Sequence, residues 1–316
     1  MKKITISHTD LEVTPLNLGG NVFGWTADEQ QSFDILDAYS EAGHNFIDTA
    51  DTYAWWVNGT GGQSETIIGN WLKERGNRDK LVIATKVGSE TDEHAADISK
   101  KHIIKSANES LKRLQTDYID LYYTHFDDGI TPVEETLAAH DELITSGKVR
   151  YIAVSNLSPE RITQSFEAAD KDDLPRYTCL QPLYNLMERS SFETDYLPLA
   201  EKYGLTVFPY AALALGFLTG KYRKEADSDK SVRGGGAKKY LNDRGQAVLK
   251  ALDTLAAKHS TKQATVALAW LLAQPHVGAP VVSATDLDQL ETLIAAPELD
   301  LEPEDLTMLD DASRTA

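Results

Sequence analysis

The chain has 316 residues, with 49 acidic against 31 basic side chains, a formal net charge of −18, and one cysteine, Cys179. So acidic a chain is repelled by phosphate backbones, which argues against a nucleic-acid partner. A lone cysteine excludes an internal disulfide and fits a reducing compartment.

The chain opens with two short apolar runs, at 3–6 and 11–13, around His8-Thr9-Asp10, which reads as a β-hairpin. A first buried strand follows at 16–20. Asp28 is placed to cap a helix whose Phe33, Leu36 and Tyr39 recur at helical spacing. Seven more strand-like runs lie at 45–50, 81–87, 118–125, 150–156, 178–183, 205–213 and 279–284, each rich in apolar residues as buried parallel strands require. Between them, Thr131-Pro132-Val133-Glu134 reads as a capping box with proline at the first helical position, and Ser158-Pro159 opens a helix in the same way. The polar stretch 223–239, with Gly234-Gly235-Gly236, reads as a long loop of the kind that often serves as a lid. Pro303, Leu306 and Leu309 mark one extra C-terminal helix. Eight strands alternating with helices predict a closed (β/α)8 TIM barrel with an N-terminal β-hairpin; a doubly wound open sheet is the alternative. One domain, residues 1–316, is expected. No apolar run approaches ~18 residues, and Met1-Lys2-Lys3 leads into a stretch too polar for a signal peptide, so a cytoplasmic protein without a membrane span is expected.

In such a barrel the chemistry sits at the C-terminal ends of the strands. The residues there are Asp48, Lys86, His125, Ser155 with Asn156, Gln181, Tyr210 and Ser283. Three ionisable groups ending three successive apolar runs are costly to bury unless they meet partners. The histidines are scattered, with no His-x-His pair, so no metal site is expected. No Gly-x-Gly-x-x-Gly is present either, which excludes a Rossmann nucleotide site. Cys179, in a buried strand without a basic partner, reads as a packing residue.

The run Asn45-Phe46-Ile47-Asp48-Thr49-Ala50-Asp51-Thr52-Tyr53, followed by Gly62-Gln63-Ser64-Glu65, resembles the aldo-keto reductase signature. Ala84-Thr85-Lys86, Tyr123-Thr124-His125, Val154-Ser155-Asn156, Leu180-Gln181-Pro182 and the run from Gly216 to Tyr222 resemble further motifs of that family, in the right order, from Leu16 to about Leu293. The resemblance implies an NAD(P)H-dependent carbonyl reductase with Asp48, Tyr53, Lys86 and His125 as its catalytic set. Tyr53 would be the general acid, with Lys86 lowering its pKa, Asp48 holding Lys86, and His125 orienting the carbonyl. It also implies that Ser155, Asn156 and Gln181 bind the nicotinamide carboxamide and that Tyr210 stacks on the ring. Ala211 to Leu213, Gly216 and Lys221 would cradle the pyrophosphate, with Gly20 and Asn21 beside the cofactor and Ser283, Thr285 and Gln289 at the adenosine end. NADP is the expected cofactor, with NAD open, because the sequence departs from the family there. Ala211-Ala212 stands where Ser-Pro is usual, no cation follows Ser283, and Thr292-Leu293 replaces a common Glu-Asn pair. Arg244 is one substitute cation; Lys221, Arg233, Lys238 and Lys239 are others. The resemblance extends to potassium-channel β subunits, so a non-catalytic nicotinamide-binding regulatory role is the second reading.

Aromatic residues crowd the segments expected at the mouth: Phe23, Trp25, Trp55, Trp56 and Phe126. They point to a small-molecule carbonyl or alcohol substrate with a ring or sugar-like face, with Asp127 and Asp128 as acceptors for hydroxyls.

Overall fold

A computed structural model describes residues 2–92 and 94–314. Strands β1 (Ile4–Thr5) and β2 (Glu12–Val13) form the antiparallel hairpin. The next eight strands are β3 (Asn17–Gly19), β4 (Phe46–Asp48), β5 (Val82–Val87), β6 (Ile119–Thr124), β7 (Val149–Ser155), β8 (Cys179–Gln181), β9 (Thr206–Val207) and β10 (Val281–Val282). They form one parallel sheet in the order β10-β3-β4-β5-β6-β7-β8-β9. Its two ends meet. Val207 N–H donates to the His276 carbonyl at 2.8 Å, Gly278 N–H to Val207 at 2.9 Å, and Val281 N–H to Pro209 at 2.8 Å. The sheet is thus closed as a (β/α)8 barrel, and every strand is paired on both sides.

Two apolar layers follow from the strand alternation. One lies between the barrel and its helices. The second lies inside the barrel, where Phe46, Val82, Leu121 and Phe208 meet Ile6, Leu11 and Val13 of the hairpin. The hairpin therefore plugs the N-terminal end and leaves the C-terminal end for the site. Cys179 is fully buried in this inner layer, and burial pushes its thiol up to about 12.

Helix starts largely follow the sequence. Asp28 and Gln31 form a reciprocal capping box for the helix Glu29–Glu41, and Ser158 caps Pro159–Asp172. The expected box at Thr131 does not form. Helix Val133–Thr145 has Pro132 at its N-cap without a side-chain cap. The Thr131 hydroxyl instead turns back to the Asp128 carboxylate at 2.5 Å, which also accepts from the Ile130 and Thr131 N–H groups. The stretch read as a loop is folded into short helical turns at Glu225–Lys230, Gly234–Ala237 and Lys238–Tyr240. Asp227 pins its entry by accepting from Arg223 N–H at 2.8 Å and Lys224 N–H at 3.1 Å. The C-terminal helix Pro303–Ser313 is docked through Asp305 on Lys258 and His259 and through Asp310 on Arg189.

Candidate active site

At the open end of the barrel, β4 and β5 bring Asp48 and Lys86 side by side, both with no exposed surface. The Lys86 ammonium donates to the Asp48 carboxylate, to the Thr49 carbonyl at 2.7 Å and to the Tyr53 hydroxyl at 3.0 Å. Its three hydrogens are thereby aimed, and such pairing is what makes a buried ammonium tenable. Gln181 donates to the other Asp48 oxygen at 2.9 Å. His125, just past β6, sets its ring edge-on to Tyr53 with centroids 6.2 Å apart. Its Nδ1 lies 2.7 Å from the hydroxyl of Ser89, a residue the sequence reading did not single out. The four residues expected to act together are thus adjacent.

The electrostatics differ in one respect from expectation. Burial would lower the Lys86 pKa, but the Asp48 carboxylate and Tyr53 outweigh it and hold the ammonium charged. Burial raises the Tyr53 pKa above its ordinary value, and the opposing pull of Lys86 does not reverse this. The tyrosine therefore stays protonated in the resting site. Burial, and then Lys86, depress the His125 pKa well below the usual range, so its ring is neutral.

The residues expected at the nicotinamide end hold one another. Ser155 donates to the Gln181 carbonyl at 2.8 Å. Asn156 donates to Ser155 and to the His125 carbonyl, both at 3.0 Å, and Tyr210 donates to Asn156 at 3.0 Å. A cavity of about 460 Å³ opens against Asn156 and Tyr210 and extends to Met187 and Arg244. Beyond Tyr210 the backbone is unusual. Ala211, Ala214 and Leu215 all carry positive φ, as do Asn156 and Ala54 around the same rim. Left-handed conformations of non-glycine residues cost energy and gather where structure serves a ligand. The N–H groups of Ala211, Ala212 and Leu213 meet no protein acceptor among the described residues. Successive free donors on such a turn suit a phosphate. Lys221 folds against Gly216 of the same loop. These features fit a dinucleotide laid across the barrel mouth.

The adenosine end is less prepared. Ser283 donates to Asn21 at 2.5 Å, which joins the ends of β10 and β3. Gln289 turns back onto Thr285 and Asp286, closing the first turn of helix Leu287–Ile294 on itself. Arg244 is committed elsewhere, to the carbonyls of Met187 at 2.9 Å and Ser313 at 3.3 Å. Lys239 pairs with Glu188. Arg233, at the start of the turn Gly234–Ala237 in the 223–239 insert after β9, stands over the Trp25 ring at 5.4 Å and acts electrostatically on Tyr53.

The mouth needs two corrections. Phe23 is fully buried in the outer core, packed under Gly20, where even a Cβ would approach its ring to 3.1 Å, so its ring adds no open surface to the mouth. Asp127 is held by Arg161 in a two-point pair at 2.8 and 3.0 Å, and Asp128 accepts from the Ile130 and Thr131 N–H groups of its own loop and from the Ile98 N–H at 3.2 Å. Neither is a free acceptor for hydroxyls. The remaining aromatics do assemble. Trp25 and Trp56 meet edge to face at 5.3 Å, Trp55 adjoins Trp56 at 6.2 Å, and Phe126 adjoins His125 at 4.7 Å. Among the described residues no helix is long and apolar enough to cross a membrane, and no group of three or more metal-ligating side chains converges.

The aldo/keto reductase family profile matches residues 15–314. The chain is 35% identical to "Uncharacterized oxidoreductase YrpG" of Bacillus subtilis, over 98% of this chain and 95% of that protein. It is 33% identical to "Probable voltage-gated potassium channel subunit beta" of Arabidopsis thaliana, over 95% and 92%. It is 29% identical to "Aryl-alcohol dehydrogenase [NADP(+)]" of Phanerodontia chrysosporium, over 95% and 83%. With motifs, barrel and profile in agreement along nearly its whole length, the chain belongs to the aldo/keto reductase family of NAD(P)H-dependent oxidoreductases.

Proposed function

We propose that this protein reduces an aldehyde or ketone to an alcohol, with Tyr53 as the general acid. The observation that carries this reading is the Tyr53 hydroxyl held 3.0 Å from a buried ammonium that is itself fixed by Asp48. Bound nicotinamide would supply hydride to the carbonyl carbon. Ser155, Asn156 and Gln181 would hold its carboxamide, Tyr210 its ring, and the 211–216 turn with Lys221 its pyrophosphate. As negative charge gathers on the substrate oxygen, Tyr53 passes its proton to it, and the phenolate left behind is matched by Lys86. The raised resting pKa keeps that proton in place until the oxygen becomes the stronger base. Neutral His125 donates to the carbonyl oxygen and sets its orientation. The Trp25, Trp55, Trp56 and Phe126 faces favour a ring-bearing substrate. An aryl-alcohol dehydrogenase among the relatives supports that class, and the committed Asp127 and Asp128 weigh against a polyhydroxylated one. The same relative's NADP supports NADP here.

Tyr53→Phe is expected to keep cofactor affinity and to lose turnover by roughly 10²-fold or more, the scale of general acid catalysis. Near-normal turnover would remove Tyr53 from the role. The potassium-channel relative favours a second reading, a nicotinamide-binding regulatory subunit. A screen of NAD(P)H consumption over aldehydes, ketones, sugars and dicarbonyls separates the two: tight cofactor binding without turnover on any class supports the regulatory one.

A further inference from the structure

A neutral imidazole carries one N–H, so a histidine that donates a hydrogen bond through one nitrogen must accept through the other. His125 is held at several points. Its backbone N–H donates to Val87 at 2.8 Å and its carbonyl accepts from Asn156 at 3.0 Å. Its ring is flanked by Tyr53 and Phe126. These contacts fix where the ring stands but not which nitrogen bears the hydrogen. That choice falls to the group at Nδ1, the Ser89 hydroxyl at 2.7 Å. Ser89 lies two residues past the end of β5, and only 7% of it is exposed. It reaches His125 because Gly88, at φ +102°, turns the chain at a point where a Cβ would meet Ile98 at 2.6 Å.

We propose that Ser89 is a positioning residue that selects the tautomer of His125: its hydroxyl donates to Nδ1, so the ring hydrogen sits on Nε2 and faces the carbonyl oxygen of the substrate. This rests on the reading of His125 as the carbonyl donor. Among the described residues His125 Nδ1 is the one hydrogen-bond partner of the Ser89 hydroxyl. Were Nδ1 to donate instead, the buried hydroxyl hydrogen would lose its acceptor, and an unmade buried bond is costly. Nε2 would then present a lone pair to an oxygen that is gaining negative charge, so it would repel where it should attract. Double protonation, which would make both nitrogens donors, is opposed by burial and by the Lys86 ammonium.

The test is nitrogen NMR of the imidazoles in full-length protein saturated with NADP⁺, with His125→Asn identifying the His125 signals. Wild type is expected to carry its hydrogen on Nε2. In Ser89→Ala a share of the hydrogen should move to Nδ1, and kcat should fall about tenfold, the scale of one neutral hydrogen bond, with cofactor affinity unchanged. Ser89→Thr, which keeps the hydroxyl, should restore both. Hydrogen on Nδ1 in wild type overturns the proposal, and so does a Ser89→Ala protein with unchanged tautomer and kcat. Full turnover in His125→Asn would overturn the reading of His125, and with it the expected effect on kcat. The wild-type spectrum, recorded without substrate, tests the Ser89 bond separately.

Discussion

Around the signature segment the structure buries more charge than the chemistry uses. Asp51, two residues before Tyr53, faces Glu65, Arg113 and the Ser106 hydroxyl. One guanidinium serves both carboxylates, and Arg113 is bonded to Glu65 at 2.6 Å. Burial, reinforced by Glu65, pushes the Asp51 pKa up to about 7. A free aspartate titrates near 3.9, so between about pH 4 and 7 the folded protein holds a proton that the unfolded chain has lost. The stabilisation is full below about pH 4 and disappears as pH rises through the folded value. Asp51→Asn, which keeps the shape and cannot ionise, should therefore gain on wild type by roughly 2.5 kcal/mol between pH 5 and pH 8. Urea unfolding of both proteins at the two pH values measures this. A gap that stays constant would show that Asp51 is charged throughout. The sequence displays Asp51, Glu65 and Arg113 but not their meeting, because the helices Gln63–Arg75 and Lys100–Leu114 become neighbours only once β4 and β5 pair.

At the scale of elements, two loops and the insert build the mouth. The turn after β3 brings Trp25, the turn after Tyr53 brings Trp55 and Trp56, and the insert places Arg233 over Trp25. If these rings receive the substrate, Trp25→Ala and Trp56→Ala should raise KM for a large aromatic carbonyl more than for a short aldehyde, which cannot span both rings. Equal effects on the two substrates, or none, would return the tryptophans to loop packing. The aromatic cluster was legible as composition near Tyr53, but the fate of each side chain was not. Phe23 follows a buried strand just as Trp25 does, yet its backbone direction sends it under Gly20 into the core. Asp127 and Asp128 looked available because sequence does not reveal that Arg161 and the backbone N–H groups of Ile98, Gly129, Ile130 and Thr131 claim them. The Thr131 cap failed for the same reason: a nearby carboxylate competed for its hydroxyl.

The whole molecule decides the cofactor. On the proposed reading a dinucleotide would reach from Ser155, Asn156 and Gln181 to the end of β10, where no basic side chain directly follows Ser283. We expect NADP to bind more tightly than NAD, by less than 100-fold. Fluorescence titration of both cofactors checks this, and so does the stabilisation each gives at equal concentration, which follows its affinity. A preference of 100-fold or more that survives replacement of Arg233, Lys238, Lys239 and Arg244 would show that the adenosine pocket has another recognition device.

The sequence by itself determined the strand–helix alternation, the hairpin, the cap at Asp28 and the family, because these depend on residue type and spacing along the chain. It also named Asp48, Lys86 and His125, since a charged group ending a buried strand must find company, and the family resemblance added Tyr53. Only the tertiary structure decided what that company is. It put Gln181 on Asp48, Ser89 on His125 and Arg233 above Trp25, and it set the Tyr53 pKa upward. Each of these outcomes depends on distance and desolvation between segments remote in sequence, and neither is defined until the barrel has closed.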